Sequence, residues 1–284
     1  MEGEWTILKV LQWTANYFSS KGISQPRSDA EVLLSYTLGV ERIQLYLNYD
    51  KPLSPAELAR FKELIRRRAA SEPTQYIIGK QEFWSLEFEV TRDVLIPRPE
   101  TEILVEKALE MAGTGRALAL DIGTGSGAIA VSLAHERPEI EVVATDRSFA
   151  AILVAKRNAT RHAVSNRISF VRMDLMQAIA PVRQFDLIVS NPPYIGETEL
   201  LDLAPEIANY EPRSALEGGG RQGLGLIRKI LRQYRYIIRP GGSLLIEIGQ
   251  GQAEILEKEL TSRFEFIPDY AGIKRVLHVW STGG

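Results

Sequence analysis

Residues 117–127 read Ala117-Leu118-Ala119-Leu120-Asp121-Ile122-Gly123-Thr124-Gly125-Ser126-Gly127. The apolar start has the length of one buried parallel strand. The glycines then make a tight turn, and residues 128–136 continue with a helical pattern. A glycine-rich strand-to-helix turn lets backbone approach a ligand closely. Gly123-Thr124-Gly125 with Ala128 meets the loose G-x-G-x-x-A of dinucleotide folds, a weak signal by itself. Asp121 sits at the strand's end, directly before the turn. A carboxylate there disfavours a pyrophosphate and favours a cationic or amino-bearing ligand.

Downstream, the chain alternates. Residues 141–146 form a second strand ending in Asp146, placed for the two hydroxyls of a ribose. A helix over 148–162 leads to a strand at 168–171 and then Asp174, placed for an adenine amine. Three acids around one glycine turn suit S-adenosylmethionine, whose sulfonium and ammonium are positive. A strand at 185–190 precedes an irregular stretch, 195–221, rich in Glu, Pro and Gly. A helix at 223–238, a strand at 243–248 and a helix at 251–262 follow. Residues 264–267 and 275–280 are expected to pair as a hairpin that adds an antiparallel strand. Such alternation gives an α/β fold, a parallel sheet with helices on both faces.

The strand at 185–190 runs into Asn191-Pro192-Pro193-Tyr194. Two prolines remove two backbone donors, fix φ at both positions and push their predecessors toward extended conformations. The result is a stiff loop at the carboxyl end of a strand, where open α/β sheets keep their ligands. Its carbonyls remain, and the Asn191 side chain adds an acceptor oxygen and an NH2. Tyr194 adds a flat aromatic face. This loop suits a planar nitrogen group bearing N–H donors, an exocyclic amine or a carboxamide.

Upstream, residues 5–71 read as helices. Ile7, Leu8, Leu11, Ala15 and Phe18 repeat at helical spacing. Ser28-Asp29-Ala30-Glu31 and Ser54-Pro55-Ala56-Glu57 both have the pattern of a capping box. Arg66-Arg67-Arg68 is expected as a solvated helix terminus, favourable against the negative end of the dipole. No catalytic pattern occurs here, so this is a small helical domain for recognition. Gln75–Gly79, Phe83-Trp84 and residues 86–90 alternate like short strands, a hairpin between two domains. The expected division is 1–72 helical, 73–97 hairpin, and 98–284 the sheet domain.

Composition limits the alternatives. The 284 residues are 45% hydrophobic and 25% charged, which fits an ordinary globular protein. The net charge of −2 gives no global basic field for nucleic acid. No cysteine is present, which excludes disulfides, thiolate metal sites and cysteine nucleophiles. His135, His162 and His278 lie far apart in sequence, none with a ligand-spaced partner, and are expected on helix or strand surfaces rather than on a metal. No run reaches a membrane-spanning length, and the acidic start at Met1-Glu2-Gly3-Glu4-Trp5 resembles neither a signal nor a transit peptide. The expected location is the cytoplasm.

Asp121–Gly127 resembles the first motif of class I methyltransferases, and Asn191-Pro192-Pro193-Tyr194 that of their N-methylating subgroup. The wider pattern resembles the release-factor glutamine methyltransferase family, also called PrmC or HemK. It is carried by Gln75-Tyr76-Ile77 with Gly79 and Phe83, by Leu95-Ile96-Pro97-Arg98-Pro99-Glu100-Thr101-Glu102, by Tyr210-Glu211-Pro212-Arg213 with Ala215-Leu216, and by Glu247-Ile248-Gly249. The resemblance implies a Rossmann-like methyltransferase sheet with a helical N-terminal domain that helps hold the protein substrate. It implies methyl transfer from S-adenosylmethionine, leaving S-adenosylhomocysteine, to the side-chain amide of the glutamine in a Gly-Gly-Gln motif of peptide chain release factors 1 and 2. It implies cofactor contacts from Asp121, Ile122, Gly123, Thr124, Gly125 and Gly127, with Asp146, Asp174, Leu175 and Asn191, and catalytic roles for Asn191, Pro192, Pro193 and Tyr194. The expected enzyme is a monomer that needs no metal, membrane or direct nucleic-acid contact. One stretch departs from the pattern. The family has Gly-Gly-x-Asp-Gly-Leu where Gly218-Gly219-Gly220-Arg221-Gln222-Gly223-Leu224 is one residue longer and lacks the Asp.

The loop's chemistry sets an expectation for mechanism. A carboxamide nitrogen is a poor nucleophile, so the site needs orientation more than a strong base. The Asn191 oxygen and the Pro192 carbonyl are expected to accept the two amide N–H bonds, with Tyr194 stacked on the amide plane. Three rivals share parts of the pattern: a DNA or RNA exocyclic-amine methyltransferase, a nicotinamide-dependent oxidoreductase, and a non-catalytic module. The first would need a basic groove or a target-recognition domain. The second leaves Asn-Pro-Pro-Tyr without a role, and the third leaves both intact loops without one.

Overall fold

The computed structural model describes residues 4–281. The first three residues of the acidic start, Met1-Glu2-Gly3, lie outside the described residues. The chain divides into two compact units, one of residues 1–79 with 204–210 and one of residues 80–203 with 211–284.

In the first unit α1 (Ile7–Ser20), α2 (Pro26–Leu38), α3 (Arg42–Leu47), α4 (Pro55–Ala69) and α5 (Thr74–Ile78) follow in order. Their shared core includes Leu11, Phe18, Leu33, Leu34, Leu45 and Phe61. Full burial of each is worth about 1.5–3 kcal/mol. The Ser54 box forms as the sequence implies: Ser54 Oγ accepts from the Glu57 N–H and Glu57 Oε2 accepts from the Ser54 N–H. The Ser28 box does not. Helix α2 begins earlier, with Pro26 in its first turn, so Ser28 is already helical. Glu31 instead lies buried, accepting from Arg27, Arg42 and Tyr46. The strand expected at 75–79 is the helix α5, begun after Pro73 and stopped by Gly79 at φ +76°. The arginine run is solvated only in part, with Arg66 exposed and Arg67 half-buried. Arg68 is buried and paired with Asp29 at 2.7 Å and with Glu206 at 2.6 Å. Arg67 pairs with Glu72.

The second unit begins with a hairpin, β1 (Lys80–Phe83) and β2 (Leu86–Glu89). A 3₁₀ turn at Pro99–Thr101 leads into α6 (Glu102–Ala112). Then come β3 (Ala117–Ile122), α7 (Ala128–Glu136), β4 (Ile140–Asp146), α8 (Phe149–Arg161), β5 (Ile168–Arg172) and β6 (Phe185–Ser190). The stretch expected to be irregular contains α9 (Pro205–Tyr210), which belongs to the first unit and supplies Glu206. The chain ends with α10 (Gly225–Gln233), β7 (Ile238–Glu247), α11 (Ala253–Glu259), β8 (Phe264–Pro268) and β9 (Lys274–Trp280).

The sheet order is β5-β4-β3-β6-β7-β9-β8. Strands β3 to β7 pair in parallel, while β9 runs antiparallel to both β7 and β8. The final pair is the expected hairpin and adds one antiparallel strand, β9, while β8 again runs in the direction of β7. Alternate residues point to opposite faces. Ala119, Val142, Ala144, Val189 and Leu245 pack with α6 and α7, whereas Leu120, Ile122, Ile188, Leu244 and Ile246 pack with α10 and α11. Covering both faces explains why these strands are nearly continuous apolar runs. Phe83 and Phe88 tie the hairpin into the first of these cores. Fully buried Asn158 accepts from the Glu89 N–H and donates to the carbonyls of Glu89 and Ser126. His278 corrects the expectation of three surface histidines. It is buried on β9 between Glu265 and Ser243, and burial holds its imidazole below the usual range.

Candidate active site

The strand order reverses beside β3, with β4 on one side and β6 on the other. Loops leaving the carboxyl ends of β3 and β6 therefore face one crevice. The first is the glycine turn and the second is Asn191-Pro192-Pro193-Tyr194. Ile122 and Ser190 are register partners, so Gly123 and Asn191 start their loops side by side.

The glycine turn is held by its neighbour strand. The N–H groups of Gly123 and Thr124 both donate to the Thr145 carbonyl, at 2.9 and 2.8 Å. Gly123 and Gly125 have φ of +76° and +55°, a region that L side chains rarely occupy. Gly127 caps α7, and a Cβ there would lie 3.0 Å from the Ala155 Cβ. The missing side chain lets α7 approach α8 closely.

Asp121 is fully enclosed. Its Oδ2 accepts from Thr124 Oγ1 at 2.6 Å. Its Oδ1 is buried with no hydrogen-bond partner among the described residues, the Ala130 N–H acting only from beyond bonding geometry. Burial pushes the carboxyl up to about 7, and nearby Asp146 adds to the shift. Asp146 accepts from the Gly125 N–H at 3.0 Å and the Ser148 N–H at 2.8 Å, and burial raises its carboxyl too. Asp174 is exposed at the rim, and Leu175 beside it has φ +49°.

One cavity collects these parts. Ile122, Gly123, Thr124, Gly125, Asp146, Asp174 and Leu175 line it together with Asn191, Pro192 and Pro193. Asp121, Gly127 and Tyr194 are not among its lining residues. Asp121 lies behind the turn and Gly127 beneath it. Tyr194 departs from the expectation of an amide-stacking ring. It is partly buried, and its hydroxyl donates to Glu247 Oε1 at 3.3 Å because a hydroxyl turned inward needs an acceptor. Burial, and the Glu247 charge, raise its pKa further.

Residues outside the expected site set complete the site. Arg98 lines the cavity and donates to buried Glu211 at 2.5 Å. Thr101 also lines it, accepts from Asn191 Nδ2 at 3.0 Å and donates to Glu247 Oε2 at 2.6 Å. The Tyr194 carbonyl accepts from Gln252 Nε2 at 2.9 Å. Among the described residues, no hydrogen bond reaches the Pro192 carbonyl or the Asn191 oxygen. The departing segment 218–224 lies against this loop. A Cβ on Gly218 would sit 2.7 Å from the Pro193 carbonyl oxygen, and one on Gly223 1.9 Å from that of Tyr194. Gly219 and Gly220 have φ of +83° and +73° with no such close approach, so extra length is accommodated there.

A parallel sheet with a glycine turn, acids at its strand ends and a proline-stiffened acceptor loop defines a class: this is an S-adenosylmethionine-dependent methyltransferase. The model of a methyltransferase small domain matches residues 99–224, and that of a PrmC N-terminal domain matches residues 9–79. The fold is shared with the hMettl16 catalytic domain (17% identity, 78% of this chain and 83% of that one, TM-score 0.58). It is shared also with a methyltransferase from Pyrococcus furiosus (20% identity, 70% and 90% covered, TM-score 0.52). A release factor glutamine methyltransferase of Geobacter sulfurreducens is 50% identical, over 88% of this chain and 86% of its own. One of Chlorobaculum tepidum is 41% identical, over 97% of each. The chain belongs to the release factor glutamine methyltransferase family. No helix among the described residues is long and apolar enough to cross a membrane, and no group of His, Asp and Glu there is arranged to hold a metal ion.

Proposed function

We propose that this enzyme methylates the side-chain amide nitrogen of the glutamine in a Gly-Gly-Gln motif of peptide chain release factors. The observation that carries this reading is the side-by-side placement of two loops on one cavity: a glycine turn backed by acids, and a rim of unengaged acceptors at Asn191 and Pro192.

The residues fit S-adenosylmethionine. Asp121 is enclosed behind the glycine turn, and its carboxylate, when ionised, favours a positively charged group in the cavity through its field rather than by contact. Asp146 keeps acceptor capacity beyond its two backbone bonds, suited to ribose hydroxyls. Asp174 and Leu175 border the cavity where an adenine would lie, and Gly123 and Gly125 leave open space for close backbone approach. When bound, the cofactor supplies an electrophilic methyl carbon. The chain orients the nucleophile. Asn191 Oδ1 and the Pro192 carbonyl accept the two N–H bonds of the glutamine amide. These bonds strengthen as the nitrogen gains positive charge, so they favour the transition state over the ground state. Pro192 and Pro193 keep that rim rigid. Tyr194 acts from behind by filling the space against Gly249 and engaging Glu247. The helical unit, matched by the PrmC N-terminal domain model, serves to hold the release factor.

Incubation with isotopically labelled S-adenosylmethionine and purified release factor, followed by mass spectrometry of the Gly-Gly-Gln peptide, tests this. Label on that glutamine is expected. Label found in added DNA or RNA, with none in the factor, would overturn it.

A further inference from the structure

We propose that Thr101 and Glu247 are positioning residues that fix the Asn191 carboxamide with its NH2 inward and its oxygen left for the substrate. This rests on the reading of Asn191 given above.

The argument is a count of protons. Glu247 ends β7 and is fully enclosed. As a carboxylate it only accepts: Oε2 from Thr101 at 2.6 Å, Oε1 from Tyr194 at 3.3 Å. A threonine hydroxyl has one hydrogen, and Thr101 has committed it to Glu247. Its remaining lone pairs can only accept. Of the two ends of the Asn191 amide, only NH2 can meet them, and it does so at 3.0 Å. The reversed amide would set its oxygen against an oxygen with no hydrogen to give. It would also turn donors toward a substrate group that is itself a donor. The two faces of an asparagine differ little in shape, so packing alone would not choose between them. The Glu247 charge chooses.

The same chain makes the choice depend on pH. Glu247 is faced by Tyr194 from the proline loop, Glu100 from the turn before α6 and Arg275 from β9, with Arg98 acting on Tyr194. Arg275 is itself paired with Asp269 at 3.1 Å. Burial pushes the Glu247 carboxyl up to about 7, and the Glu100 charge adds to this. Once Glu247 gains a proton it can donate, the Thr101 hydrogen is released, and Asn191 loses its fixed sense.

The test uses the full chain with release factor and S-adenosylmethionine, comparing wild type with Thr101→Val, Thr101→Ser and Glu247→Gln. Thr101→Val is expected to lower kcat by about tenfold or more while cofactor Kd stays within about threefold, and Thr101→Ser to recover most of the rate. Wild-type kcat is expected to fall below about pH 7, and Glu247→Gln to lack that acidic limb. A Thr101→Val rate within about twofold of wild type, or a Glu247→Gln enzyme that keeps the limb, would overturn the proposal. Nitrogen NMR of the Asn191 side-chain amide gives a readout that needs no substrate. Its shift should titrate with Glu247 in wild type and cease to do so in Thr101→Val, and a signal indifferent to both substitutions would likewise overturn it. A wild type inactive on release factor but with the expected titration would instead count against the substrate reading alone.

Discussion

Ser190 Oγ donates to the Ile122 carbonyl at 2.7 Å, and the two residues are register partners on β6 and β3. The bond is buried at the end of the sheet where both loops begin. It couples the glycine turn to the proline loop, so their separation is set by the sheet rather than by the loops themselves. Ser190→Ala is expected to cost about 1 kcal/mol of stability. It should lower kcat more than it raises cofactor Kd, because the proline loop alone loses its anchor. Urea unfolding with steady-state kinetics checks this; a pure Kd effect would contradict it.

Cofactor binding is expected to depend on pH through Asp121. Burial pushes its carboxyl up to about 7, and only the ionised form attracts a cationic ligand. Cofactor Kd is therefore expected to rise by about tenfold per pH unit below about 7 and to flatten above it. Calorimetry across that range checks the slope. Stability runs the other way. A carboxyl raised from 3.8 stabilises the free protein fully below that value and loses its contribution as pH rises through about 7. Glu247 has the same sign, while buried His278, lowered from 6.5, opposes both. The clean measure is the difference in Tm between Asp121→Asn and wild type, expected to grow in favour of the variant up to about pH 7.

The glycines at 218–224 divide into two kinds. Gly223 has φ +66°, and an added Cβ would fall 1.9 Å from the Tyr194 carbonyl oxygen. Gly223→Ala combines backbone strain with overpacking and is expected to cost about 3 kcal/mol or more. Gly220 also has positive φ, but nothing lies within 4 Å. Gly220→Ala is expected to cost about 1 kcal/mol. Thermal melts of the two variants distinguish these costs, and equal losses would show that segment 218–224 does not brace the proline loop.

Arg68 holds the helical unit together from within. It is 4% exposed and bridges Asp29 on α2 to Glu206 on α9. Arg68→Met leaves two carboxylates without their partner and is expected to cost about 3–5 kcal/mol, more than removal of exposed Arg66. Chemical denaturation gives the comparison; similar losses for both would contradict it.

Much of this was legible in the sequence because local rules and the fold agree. The run at 117–127 declared a strand, a turn and a helix through apolar length and glycine spacing. Asn191-Pro192-Pro193-Tyr194 declared a rigid acceptor loop through its missing donors. Other features were hidden for identifiable reasons. Helix α5 has only one and a half turns, too short for periodicity, although Pro73 and Gly79 bracket it with ordinary helix signals. Pro26 marked the true start of α2, but the stronger-looking Ser28 pattern masked it. The Arg68–Glu206 pair joins residues 138 apart, and nothing local announces such a contact. Glu247 sits among apolar strand residues, where only its partners reveal a use. Thr101 lay in a recognised motif without an evident task, since its task is to orient Asn191.

The most direct test is the single-turnover rate of methyl transfer by Asn191→Ala, with cofactor and release factor both saturating. The account predicts a rate at least about 100-fold below wild type, with cofactor Kd within about threefold. Equal rates would contradict it, because the glutamine amide would then be oriented by something other than the Asn191 oxygen.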